Sequence, residues 1–189
     1  MTTGPALVGG VDLLERAINY TLGTLRAVTD AELTAPTPCR AWDLRALLTH
    51  LDESLAALHE AAVLGEVTLS VPAPRAPADP VVAVRDRAGL LLGAWTSTRH
   101  TAAAVGDAAL TTAVLASAGA LEIAVHGWDV ARSVGSGRPL PPALAQEMLA
   151  LAPYLVSEAD RPVRFAAPVA LSSPAPAGER LLAFLGRRP

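Results

Sequence analysis

Apolar positions recur at helical spacing through most of this chain. Leu14, Ile18, Leu22 and Leu25 stand 4, 4 and 3 residues apart, which predicts a helix over about residues 11–28. Thr29-Asp30-Ala31-Glu32 then has the form of a capping or turn element. Pro36 and Pro38 force extended backbone ahead of a second helix, over about residues 42–65. There Leu44, Leu48, Leu51, Leu55 and Leu58 repeat at 4-3-4-3 spacing, the seam of a helix packed in a bundle. Residues 67–80 carry Pro72, Pro74, Pro77 and Pro80 and read as a long crossover loop. A third helix is predicted over about 81–105 and a fourth over about 112–134, the latter stopped by Gly135-Ser136-Gly137-Arg138-Pro139. Pro141 and Pro142 open a fifth, over about 143–158. The tail alternates weakly at Val163-Arg164-Phe165 and Val169-Ala170-Leu171, then passes Pro174 and Pro176 into a short amphipathic piece over 179–185. The pattern predicts an all-α protein. A helical bundle would span 1–160 and a C-terminal strap, with a short strand at most, would span 161–189.

Composition narrows the function more than the fold. Hydrophobic residues make up 51% of the 189 residues but aromatic ones only 4%, so alanine and leucine dominate and helices are favoured over strands. The formal net charge is −3, which opposes a sequence-independent grip on nucleic acid. No stretch approaches the roughly 20 apolar residues of a membrane span. The start, Met1-Thr2-Thr3-Gly4-Pro5-Ala6, lacks the pattern of a signal peptide. Cys39 is the single cysteine, so no intrachain disulfide forms. A cytoplasmic protein is expected, without nucleic-acid or membrane partners. All 15 basic residues are arginine, which fits codon usage in a GC-rich bacterium.

The fourth predicted helix carries a polar stripe. At about 100° per residue, with Glu122 as origin, His126 lies near 40°, Asp129 near 340° and Ser133 near 20°. Glu122 and His126, four apart, can point at one spot. His50 sits about 100° to one side of the leucine seam on the second helix, beside Ser54, Ala57 and Ala61. An imidazole from there would complete three protein donors around a metal and leave positions open, the layout of a catalytic site. On spacing alone a solvated face, with a weak Asp129–Arg132 surface pair, is the commoner reading. His59 and His100 are poor donors. His59 lies about 180° around the helix from His50, and His100 follows Arg99 near a helix end. Cys39 reads as a structural thiol or as a thiolate favoured by a helix N-terminus. Gly127, beside the stripe, would permit close approach of another backbone.

Residues 36–51 (Pro-Thr-Pro-Cys-Arg-Ala-Trp-Asp-Leu-Arg-Ala-Leu-Leu-Thr-His-Leu), with Glu122-x-x-x-His126-Gly127-Trp128-Asp129-Val130-Ala131-Arg132, resemble the actinobacterial branch of the DinB-like four-helix-bundle superfamily. That branch includes the N-terminal domain of mycothiol-dependent maleylpyruvate isomerase. The ending, residues 180–187, resembles that of the short single-domain members. The resemblance implies a DinB-like four-helix bundle with a long crossover loop, an extra C-terminal helix and a short irregular tail. It further implies that His50, Glu122 and His126 bind a divalent metal, usually zinc. A low-molecular-weight thiol, mycothiol, is the implied co-substrate for S-transfer or cis–trans isomerisation of a small electrophile.

Longer isomerase members carry a further α/β domain, whereas about 30 residues follow the fifth helix here. A thiol transferase, or an unassigned reaction in specialised metabolism, is therefore expected over maleylpyruvate isomerisation. Asp129 is the candidate catalytic residue, as a general base or as an orienter of His126. A metal-hydroxide hydrolase or lyase without thiol and a non-catalytic metal- or ligand-binding bundle are the alternatives. A small-molecule substrate is expected, and apolar helices together with the family's habit point to a homodimer.

Overall fold

In the computed structural model, residues 10–39, 41–68, 77–161, 164–172 and 174–189 are described. They form six α-helices and a three-stranded sheet. Within the chain two compact units separate, Met1–Arg138 and Pro139–Pro189. The boundary expected at residue 160 falls inside the second unit, because the fifth helix packs with the last one.

In the first unit, α1 (Gly10–Thr24) runs into a 3-10 turn, Leu25–Ala27. Thr29 and Glu32 then close the expected capping box, with the Thr29 N–H donating to Glu32 Oε2 at 2.7 Å. Helix α2 (Leu44–Leu64) starts at Asp43, whose carboxylate accepts the Ala46 N–H at 2.8 Å; such a cap contributes about 1 kcal/mol. It stops at Gly65, whose φ of +71° is left-handed. The five seam leucines are all buried, joined by Leu47.

Helix α3 (Pro80–Ser97) is shorter than its sequence pattern predicts. In place of its last turns the chain makes a hairpin of β2 (Ala102–Val105) and β3 (Ala108–Thr111). Gly106, at φ +57°, and Asp107 supply the two-residue turn. The short β1 (Glu66–Val67) pairs parallel to β2. Helical propensity of the alanines loses here to turn chemistry and strand pairing. Part of the proline-rich connection, residues 69–76, lies outside the described residues.

Helix α4 (Thr112–Ser133) matches its expected span. It packs along α1 and α2, while α2 also packs along α3. Small residues let these helices approach closely. A Cβ on Gly127 would collide with the Thr21 side chain of α1, and one on Gly119 would meet Leu58 of α2 at 2.5 Å. The Thr21 hydroxyl donates to the Ile123 carbonyl at 2.8 Å, tying α1 to α4 at that level. From Gly119 to Ala131 every residue except Glu122 is buried.

The second unit pairs α5 (Pro142–Leu155) with α6 (Ala177–Phe184). Leu144, Met148, Leu151, Leu181 and Leu182 are among its buried residues. Gly186, at φ +81°, ends α6, with N–H groups of Gly186 and Arg187 returning to Ala183 and Leu182 carbonyls. Val163 of the expected weak strand lies outside the described residues. Its described neighbours form none, and Val169 instead donates to the Ala183 carbonyl at 2.9 Å.

Candidate metal centre

The seam that buries the leucines of α2 leaves His50 half-buried on its flank, facing α4. Its Nε2 lies 2.7 Å from Glu122 Oε1. The same carboxylate oxygen lies 3.2 Å from Nε2 of His126, one turn along α4. The rings of His50 and His126 meet edge to face, 5.1 Å apart. Three residues separated by up to 76 positions thus aim one donor atom each at a common point, all within 4.8 Å of one another. Ser54, one turn below His50, reaches Glu122 Oε1 at 3.4 Å.

Behind His126 the surroundings are dry. Its Nδ1 faces Asp129 Oδ2 at 2.9 Å, and the Asp129 side chain is 0% exposed. The expected surface pair with Arg132 is therefore not the setting of this carboxylate; the Arg132 guanidinium lies over the Trp128 ring. The Cys39 thiol donates to the same Asp129 oxygen at 3.4 Å and lies 3.9 Å from His126 Nδ1. Sequence reasoning left Cys39 without a partner, since its partners are about 90 positions away. Trp42 covers the other side, its ring 4.6 Å from His50 and 6.2 Å from His126.

Electrostatics follow from this geometry. Burial opposes ionisation of Glu122, yet hydrogen bonds from His126 and His50 outweigh it and hold the carboxyl well below the usual range. Burial likewise opposes charge on His126, but Asp129, Cys39 and Glu122 together raise it well above an ordinary histidine. Carboxylates at both ring nitrogens favour the charged form of His126.

The residues fit a divalent ion. Two imidazole nitrogens and one carboxylate oxygen are a common donor set for zinc. Bonds of 2.0–2.1 Å in a tetrahedron place neighbouring donors about 3.3 Å apart. The His126–Glu122 separation already matches, and the His50–Glu122 one must open by roughly half an ångström. The Nδ1–carboxylate contact turns Nε2 of His126 toward the shared point, as outer carboxylates do for metal-binding histidines. An open concavity of about 410 Å³ on α2, lined by Trp42, Arg45, Ala46, Thr49 and Glu53 among others, reaches His50; Glu122 and His126 lie outside its lining. Neither His59 nor His100 belongs to a donor cluster among the described residues. His100 lies beyond α3, its Nε2 3.3 Å from the Val63 carbonyl at the end of α2, so a helix C-terminus is its setting after all.

Fold and site together define a predominantly helical protein with a two-histidine, one-glutamate cluster backed by a buried aspartate. The family model for the mycothiol maleylpyruvate isomerase N-terminal domain matches residues 14–131, more than half of the chain, and the chain belongs to that family. The match contains His50, Glu122, His126, Asp129 and Cys39. Comparison with curated proteins and with solved structures gives no match. No described helix is long and apolar enough to cross a membrane.

Proposed function

We propose that this protein is a divalent-metal-dependent enzyme built on a DinB-like four-helix bundle, in which His50, Glu122 and His126 hold zinc. Its co-substrate is a low-molecular-weight thiol, mycothiol by family, and its reaction is S-transfer to, or cis–trans isomerisation of, a small electrophile. The observation that carries this reading is the sharing of Glu122 Oε1 by the two histidine Nε2 atoms, with Asp129 fixed behind one of them.

A bound ion supplies a Lewis acid that ionises a thiol at neutral pH. The protein's own groups do the rest. Asp129 holds the His126 ring in one orientation and keeps a proton on Nδ1, so that Nε2 is the nitrogen that would lose its proton and face an ion. Its complete burial supports this positioning role over that of a general base, which must reach a substrate proton. Trp42 shields His50 on one side. His50 and Glu122, each 32% exposed at the side chain, leave the cluster open to a small molecule. Ser54 stands within reach to donate to Glu122 and steady it.

Titration calorimetry of mycothiol into the zinc-loaded protein tests this reading. Saturable binding with proton release, absent in zinc-free protein, is expected. Zinc loading without thiol binding, together with thiol-independent ester hydrolysis, would replace it with the hydrolase alternative.

A further inference from the structure

Residues 36–39 and 41–43, between the capping box and α2, touch both histidines of the cluster by different routes. Cys39 reaches Asp129, which holds His126. Trp42 lies on His50. These contacts come from a segment closed on itself by hydrogen bonds. The Trp42 N–H donates to the Cys39 carbonyl at 2.8 Å. The Thr37 hydroxyl accepts the Cys39 N–H at 3.1 Å and lies within donating distance of two carbonyls, Cys39 at 3.0 Å and Trp42 at 2.9 Å. Both ends are anchored as well. Pro36 and Asp43 form an antiparallel bridge, while Leu44 and Arg45 N–H groups donate to the Ala35 and Leu33 carbonyls.

We infer that this segment is a clasp that presets the metal geometry, with Thr37 as its tie and Cys39 and Trp42 as positioning residues for His126 and His50. The inference rests on the metal reading above and adds what holds two donors from separate helices in register before an ion arrives. Cys39 acts through Asp129. Its S–H occupies part of the oxygen that also accepts from His126 Nδ1, and so fixes where that carboxylate stands. Trp42 acts directly, as a wall that limits how far the His50 ring can swing. Thr37 touches neither histidine, but its one oxygen sets the relative position of the two residues that do. Such outer partners tune affinity and geometry, whereas the donors alone decide whether an ion binds.

The test compares full-length wild type with Thr37→Val, Cys39→Ala and Cys39→Ser. It measures zinc affinity by chelator competition, the visible spectrum of the cobalt(II) form, and the melting temperature after chelation. Thr37→Val and Cys39→Ala are expected to weaken zinc by about 10–100-fold and to shift the cobalt bands. Cys39→Ser, which retains a donor toward Asp129, recovers most of the affinity and the wild-type spectrum. Unchanged affinity and spectra in Thr37→Val and Cys39→Ala, with a metal-binding wild type, overturn the clasp alone. So does a loss that merely tracks the melting temperature of the chelated proteins, or one equal in Cys39→Ser and Cys39→Ala. A wild type that binds no ion removes the metal reading and the clasp together.

Discussion

Helices α2 and α4 each donate to the same cluster but are built in opposite ways. Helix α2 is amphipathic: its leucines face inward, and His50 stands on the flank with about a third of its side chain exposed. Helix α4 is buried on nearly every face from Gly119 to Ala131, and His126 is 8% exposed with both nitrogens against carboxylates. One imidazole therefore has room to adjust and the other is held in place. The short His50–Glu122 contact, 2.7 Å, joins two side chains that are each about a third exposed, whereas His126 is held on both sides. Were an ion bound, His126 would hold it from the fixed side, and His50 and Glu122 from the side with room to adjust.

Substitutions can break this contrast in order of size. Leu51→Ala, at a fully buried seam position, should cost about 2–5 kcal/mol in denaturant unfolding, since the seam and not the flank holds α2. Gly127→Ala pushes a methyl into Thr21 and should cost about 1–3 kcal/mol. An equally small change on the α2 flank, Ala57→Ser, should stay within about 0.5 kcal/mol. Asp129→Asn should leave the protein folded and weaken zinc by about 10–100-fold in chelator competition.

The pH dependence separates the two protonation states of the centre. His126 has a raised pKa when no ion is bound, so its contribution to stability is complete below the ordinary histidine value of 6.5 and fades as pH rises through the raised value. Glu122 has a lowered pKa, so its contribution is complete above the ordinary glutamate value of 4.5 and fades only as pH falls through the depressed one. The chelated protein should therefore melt higher at about pH 6 than at about pH 9. Zinc affinity should move the other way, rising with pH, because the ion must displace a proton from His126. Calorimetric melting with and without zinc checks both signs. A small effect also belongs to the Arg87–Asp52 pair on α3 and α2, 3.0 Å apart at partly exposed positions. Asp52→Ala should change stability by no more than about 1 kcal/mol.

The same contrast explains what the sequence could disclose. The α2 seam was legible because burial on one face only produces a clean 4-3 rhythm, and the capping box and Asp43 mark boundaries chemically. On α4 the span was legible but the meaning of its faces was not. A helix buried all round has no outward side to contrast, so on spacing alone the Glu122–His126–Asp129 stripe looked more like a solvated face. The β2–β3 hairpin was hidden by alanines of high helical propensity; its visible signal was the Gly106-Asp107 pair between two short runs. Residue type and spacing made His50, Glu122 and His126 candidates, and the family resemblance singled them out as metal-binding. The thiol of Cys39 and the hydroxyl of Ser54 could not be attached to them, because their partners lie 68 to 90 residues away and no periodicity links them.

The central claim is that His50, Glu122 and His126 form one metal site, and metal content tests it most directly. Purified wild type, His50→Ala and His126→Ala would be reconstituted with zinc, desalted and measured by plasma mass spectrometry, with circular dichroism to verify folding. About one equivalent in the wild type, lost in both folded variants, is the expected result. No bound metal in the wild type, or a full equivalent retained by either variant, would contradict the account.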